Sequence, residues 1–444
     1  MQKAVAVMSF LAAGFVASGQ VKISGPWQVE VGPGTVKRAD GVEVALQRQV
    51  LDVPPQTATQ VRGESQALPV FRTKGGGWGR GAKLRQLITQ ECTAAGALAP
   101  ASLKVRAKDG GTVYARGTDW EVDNHWGTIG RLAGGKIAAK QAVLMDYDYY
   151  PNRMHLVVVN AQGKARLVVG EPGIGIQLPP KTKPGDLHLA TVWLSGEVKA
   201  LADGNLLPVD GTPVPKSGWE GSAEKLCPKT LAKLRAGQPV TIVAWGDSVT
   251  NGGGVGAKRD AWYQNVFHRR LQARFPQSKI TLKTAAWGGG NSNGYMNAPA
   301  GGRYDFKRDV LDPKPDLVTI EFVNDSGWHG DGLKKHYAKI LNHLQGNGSE
   351  IILITPHFVR PDWMRSEKWK LSTKHDDDPR LYTQSLRQFG KDNNIPVADA
   401  ALAWGHLWRE GIPYMTLEGN SINHPDERGH RFFADALMGV FPEK

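Results

Sequence analysis

Two textures of hydrophobic patterning divide the chain. From Gln20 to about Val209 the apolar residues come in short runs: VKISG, WQVEVGPG, ASLKVRAKDGGTVYARG, AVLMDYDYY, MHLVVVNAQGKARLVVG and HLATVWLSG, each closed by Gly, Pro, Asn or Asp. Alternation with this punctuation predicts strands, because successive side chains of a strand point to opposite faces. The number of runs and the near absence of helical periodicity predict an antiparallel β domain over 20–209, arranged as a sandwich. The Pro- and Gly-rich stretch DGNLLPVDGTPVPKSGWEGS at 203–222 is the expected exit from it, with 210–237 as linker and lead-in helix.

Beyond that point the period changes. A helix is expected from Pro228, a good first-turn residue, through KTLAKLRA to Gly237. Strands VTIVAWGD, ITLKTAAW, DLVTIEFVND, IILITPHF and VADA then alternate with helices AWYQNVFHRRLQARF, FKRDVL, LKKHYAKILNHL, RLYTQSLRQFGKDN and ERGHRFFADALM. Such alternation predicts a parallel sheet covered on both faces, a doubly wound, flavodoxin-like three-layer domain over 238–444. In that architecture sites form at the carboxyl ends of the strands.

The N-terminal MQKAVAVMSFLAAGFVASGQ has Lys3, an apolar run and then small residues, the three parts of a signal peptide over 1–19. Export to the periplasm or the medium is therefore expected. No later stretch holds about 18 consecutive apolar residues, so no membrane span is expected. Cys92 and Cys227 are the two cysteines; one bridge or two free thiols fit equally, and neither has zinc-ligand spacing around it. The 55 Lys and Arg against 42 Asp and Glu give a net charge of +13. The basic residues are spread rather than blocked, and no nucleic-acid motif accompanies them, so nucleic acid is not an expected partner.

Four short motifs carry candidate chemistry. VAWGDSVTNGGG ends an apolar strand in Asp247 and Ser248, which a glycine-flanked turn can present at the sheet edge. TAAWGGGNSNG follows the next strand, and its glycine-rich backbone at Gly290 can offer N–H groups to a ligand. IEFVNDSGW ends a buried-type strand in Asn324 and Asp325, where an amide can donate to developing negative charge. SINHPDERGHRFFADAL puts His424 in a loop before the last helix, where it can take a proton.

Each motif stands at the end of its own element, on one edge of the sheet, in one order. In this the sequence resembles the SGNH (GDSL-type) hydrolase superfamily over about residues 238–444, whose blocks are GDS, a loop glycine, an asparagine before Asp, and a histidine before Pro. The resemblance implies Ser248 as nucleophile, His424 as general base, and an oxyanion hole from the Ser248 N–H, Gly290 and Asn324. It implies ester hydrolysis through an acyl-enzyme, without a metal or other cofactor. Two positions depart from the family: Phe322 stands where a glycine is usual, and Ser421 stands where the His-orienting Asp is usual. Glu418, Asp426 or a backbone carbonyl could orient the imidazole instead, and a Ser–His dyad is the remaining alternative.

Further candidates are less specific. His357, Arg360 and Asp362 in TPHFVRPDWM are expected near the substrate entrance. The run Asp376–Asp378 reads as a solvated loop or helix-start cap, because calcium needs more oxygens at defined spacing. Trp120, Trp126, Tyr147, Tyr149 and Tyr150 read as sheet packing before sugar stacking. The expected substrate is an acylated, chiefly O-acetylated, polysaccharide. A lipolytic esterase or thioesterase and an inactive glycan-binding protein are the competing readings.

Overall fold

The computed structural model describes residues 20–38, 40–364 and 374–443. The expected signal peptide, 1–19, lies outside the described residues. The described chain forms two compact units, one from 20–213 and 407–421, the other from 214–364, 374–406 and 422–443.

Every pairing between named strands of the first unit is antiparallel. Among the described residues its strands gather around two large cores, and Met154, Trp193 and Leu207 form a further, smaller cluster. Around the first, the sheet of Val21–Gly25, Gln28–Val31 and Gln49–Asp52 shares Val29, Val31, Val157, Leu189 and Val192 with the sheet centred on Arg153–Val159 and Leu187–Leu194. Around the second, Ala142–Tyr149 pairs with Thr59–Ala67 and Leu98–Ala107. Burial alternates along Ala142–Tyr149, with Val143, Met145 and Tyr147 turned into the core they share with Leu84, Val105 and Trp120. Trp120, Trp126 and Tyr147 are buried, while Tyr149 and Tyr150 are half-buried. Residues 407–421, which sequence patterning placed with the C-terminal domain, fold here with the first unit. Trp408 packs on Met154, Trp193 and Leu207, and Arg409 pairs with Asp210.

The second unit is built on a five-stranded parallel sheet: β1 Val240–Gly246, β2 Ile280–Ala286, β3 Leu317–Glu321, β4 Glu350–Ile354 and β5 Val397–Ala398. Its order is β2-β1-β3-β4-β5. All five residues of β3 are buried, as a strand covered on both faces requires. Helices Tyr263–Arg274, Gly330–Gly346, Leu381–Asp392 and Glu427–Val440 supply much of the cover. On one face, Trp245 stands among the rings of Tyr295, Phe306 and Phe322 at 5.0–5.9 Å between centroids. Phe322, at the position where the resemblance leads one to expect glycine, is thus a core residue in this chain. The order reverses between β1 and β3, and their carboxyl ends form the switch point of the sheet.

Cys92 and Cys227 are both free and buried. Among the described residues no helix is long and apolar enough to cross a membrane.

Candidate active site

β1 ends in Gly246, where only glycine fits: a Cβ there would sit 2.0 Å from Thr250 Oγ1 and 2.4 Å from the Glu321 carbonyl oxygen. This close approach ties the end of β1 to the end of β3. The next residue, Asp247, reinforces the tie. Its fully buried carboxylate accepts the N–H of Val249 at 3.1 Å and the N–H of Asn324 at 2.9 Å. Burial pushes Asp247 up to about 7, partly opposed by those two backbone bonds. Glu321 is likewise buried and is pushed well above the carboxylate range, first by burial and then by the charge of Asp247. It accepts from Thr250 Oγ1 at 2.9 Å and Val323 N at 3.2 Å.

Ser248 is half-buried at the start of a tight turn in which the Gly253 N–H donates to its carbonyl at 2.8 Å. The imidazole of His424 packs against that turn. A Cβ on Gly253 would lie 2.9 Å from His424 Cδ2 and 2.9 Å from the Ser248 carbonyl oxygen. A residue 176 positions away is thereby brought to the loop that carries the serine, and glycine at 253 leaves room for its ring.

Gly290 and Asn324 also meet: Asn324 Nδ2 donates to the Gly290 carbonyl at 2.9 Å. The Gly290 N–H does not face an open site, since it donates to the Trp287 carbonyl at 2.9 Å within its own turn. Gly290 therefore fixes Asn324 through its carbonyl, a different part from the donor role the resemblance implies. The Asn324 amide, which is exposed, has a second N–H to offer.

A buried network behind these loops escaped the sequence reading. Asp325, fully buried, accepts from the Ser292 N–H at 3.0 Å, Ser292 Oγ at 2.5 Å and Tyr337 Oη at 2.9 Å. Ser292 Oγ lies 2.6 Å from Nε2 of His336, whose ring stacks on Trp328 at 4.7 Å. Because the Ser292 proton goes to Asp325, His336 is the donor to Ser292. Burial raises Asp325 and lowers His336. Asp325 thus pins the loop after Gly290 to the loop of Asn324. The sequence signal for it is the Asp that adjoins Asn324 at the end of a buried-type strand.

The remaining candidates are dispersed. Asp426 caps the helix Glu427–Val440, accepting the N–H groups of Arg428 and Gly429, and pairs with the Arg428 guanidinium. Its oxygens serve the helix start, as an N-cap does. Glu418 is buried and belongs to the first unit. His357 does not line an entrance: it is 0% exposed, and its Nε2 donates to the Asn423 carbonyl at 2.7 Å. Arg360 pairs with Asp362 and lies over the Trp363 ring at 5.1 Å. The aspartate run is not simply solvated, because Asp378 is buried against Arg380 while Asp377 pairs with Arg387. Another histidine missed from sequence is His430. Its Nδ1 accepts the Tyr263 N–H at 3.2 Å, which leaves Nε2 to donate to the Gly253 carbonyl at 3.0 Å. Burial pushes His430 down to about 4. Among the described residues no group of three His, Cys, Asp or Glu side chains is placed to hold a metal ion.

Residues 244–432 match the model of the GDSL-like lipase/acylhydrolase family. The matched span contains Ser248, Gly290, Asn324 and His424. No curated protein matches the chain. Among solved structures, a two-domain esterase (CEX) active on acetylated mannans is similar at 19% identity, over 49% of this chain and 53% of that one, with a TM-score of 0.39. The acetyl xylan esterase AlAXEase is similar at 22% identity, over 45% and 98%, with a TM-score of 0.35. A variant of the acetyl xylan esterase Axe2 from Geobacillus stearothermophilus is similar at 18% identity, over 46% and 95%, with a TM-score of 0.36. The match spans about half the length of the two-domain esterase (53%).

Proposed function

From the premise that residues 244–432 form a domain of the GDSL-like lipase/acylhydrolase family, we propose that the protein is a serine esterase releasing O-acetyl or similar small acyl groups from carbohydrate. The observation that carries the reading is the His424 ring packed on the turn opened by Ser248. A histidine packed on the turn that carries a serine, at the switch point of a parallel sheet, suits nucleophilic acyl transfer.

His424 takes the proton of Ser248 Oγ as that oxygen attacks the ester carbonyl. The carbonyl oxygen becomes an oxyanion, which the spare N–H of Asn324 and the Ser248 N–H stabilise. Collapse expels the sugar oxygen, which leaves as a hydroxyl with the proton held on His424, and Ser248 carries the acyl group. Water then gives a proton to His424 and its oxygen to the acyl carbon. The second collapse releases the acid and returns the proton to Ser248. The carbohydrate part of the reading rests on the signal-like N-terminal sequence and on the β-rich unit joined to the hydrolase domain.

The test is acetate release from a panel of acetylated polysaccharides by the purified protein, with Ser248→Ala and His424→Ala alongside. Release that both changes abolish is the expected result. Release that survives in Ser248→Ala overturns the nucleophile. Aryl esters of increasing acyl length settle the acyl group: a steep fall beyond acetyl is expected, and a rate that climbs with chain length overturns the small-acyl reading.

A further inference from the structure

We propose that His357 is a positioning residue for the general base, holding the Asn423 peptide and thereby fixing where the His424 imidazole stands against the Ser248 turn. The proposal rests on the serine-esterase reading above.

His357 follows β4 and is fully buried between the rings of Trp404 and Phe433, at 5.7 and 5.8 Å between centroids. Its Nε2 lies 2.7 Å from the Asn423 carbonyl oxygen. A carbonyl only accepts, so Nε2 carries the ring hydrogen. Burial, and after it the neighbouring Arg380 guanidinium, hold the ring neutral.

The ring is itself anchored. Arg380 Nη2 donates to the His357 carbonyl at 2.5 Å. Arg380 is locked in turn by buried Asp378 at 2.6–3.0 Å, and Asp378 also accepts from Thr383 Oγ1 at 2.5 Å. Three residues beyond His357, the Arg360 N–H donates to the Ile422 carbonyl at 2.7 Å. The stretch 357–360 therefore grips two successive carbonyls immediately before His424. His430 Nε2 holds the carbonyl of Gly253, the residue on which the His424 ring packs.

A buried neutral imidazole has one N–H that needs an acceptor, and His357 spends it on the peptide next to the general base. Here the donor restrains the peptide that carries His424, and turning that peptide swings the imidazole away from the serine. Neutrality is part of the role. The charge of His424 opposes protonation of His357, so a charged His357 would disfavour the imidazolium that forms when His424 accepts the proton.

The experiment compares His357→Gln, whose amide can still donate, with His357→Leu, which fills the space without a donor. Melting curves and hydrolysis of a short-chain aryl ester are measured for both, with Ser248→Ala as control. His357→Leu is expected to lower kcat roughly 10- to 100-fold, the scale of an ångström of misplacement. KM should stay within about twofold, because ground-state binding is untouched. His357→Gln is expected to recover most of kcat. A wild-type kcat in His357→Leu, or an equal loss in a folded His357→Gln, overturns the proposal while a dead Ser248→Ala leaves the esterase reading intact. An active Ser248→Ala overturns the esterase reading instead. Ring nitrogen NMR of the wild-type protein decides independently of activity and of variant folding: a neutral Nε2–H tautomer for His357 is expected, and an Nδ1–H tautomer or a charged ring at neutral pH overturns the proposal.

Discussion

At the level of single residues, the proposed chemistry depends on side chains that the ends of different elements bring to one edge of the sheet. Ser248, Asn324 and His424 stood out because each ends an element on the same edge. His357 was read as lining an entrance because TPHF follows a strand, but its ring is turned inward to a carbonyl. Nothing in a sequence distinguishes a loop that lies open from one that folds back. Asn324 makes the sharpest prediction at this scale. Its amide donates one N–H to the Gly290 carbonyl, and the proposed mechanism gives the other to the oxyanion. Asn324→Ala should lower kcat by roughly 10²–10³ with little change in Tm, since the side chain is exposed. A loss below about tenfold would move the oxyanion donor elsewhere.

Among the elements, the alternation of strand and helix in the C-terminal region gave the parallel sheet directly, because a change of period from 2 to 3.6 is written in side-chain polarity. The N-terminal strands were equally legible as strands. Their division between two cores was not, because each run shows which residues face inward but not which sheet they face. The turn between β1 and the helix Tyr263–Arg274 shows how such a connection serves chemistry. The glycine-flanked turn expected after Ser248 is held firmly, with Gly253 pinned through both its N–H, to Ser248, and its carbonyl, to His430. The missing Cβ is what admits the His424 ring. Gly253→Ala should therefore reduce kcat at least about tenfold by displacing the imidazole, and should also lower Tm, because the added Cβ meets the Ser248 carbonyl oxygen at 2.9 Å. Unchanged turnover would mean that His424 does not depend on this contact.

Taken as a whole, the molecule departs from sequence order: 407–421 leaves the C-terminal region and folds with the first unit, a return that hydrophobic period could not reveal because WREGIPYMTLEGN follows neither period. The same scale governs acid stability, where groups of opposite kind compete. His155, His188 and His430 are each pushed down from 6.5 to about 4, in every case chiefly by burial. Between those pH values the unfolded chain binds protons that the folded chain does not, so each histidine makes stability fall as the pH drops. Asp247, raised to about 7, and Glu321, raised well above its usual range, act the other way: the folded state keeps protons that the unfolded state releases, so stability falls as the pH rises past their ordinary values. The net profile of the native protein is then a difference of opposed slopes, and one substitution is needed to expose one of them. His188 is the cleanest choice, fully buried, remote in sequence from Ser248, and with Nε2 at 3.1 Å from Thr191 Oγ1. In His188→Gln, which cannot take up a proton, its slope disappears. The stability of the native protein relative to the variant, from urea unfolding at both pH values, should fall by about 2 kcal/mol between pH ~7.5 and ~5, the linkage expected for a drop from 6.5 to about 4. A difference that stays constant across that window would mean that His188 titrates in the folded protein much as it does in the unfolded chain.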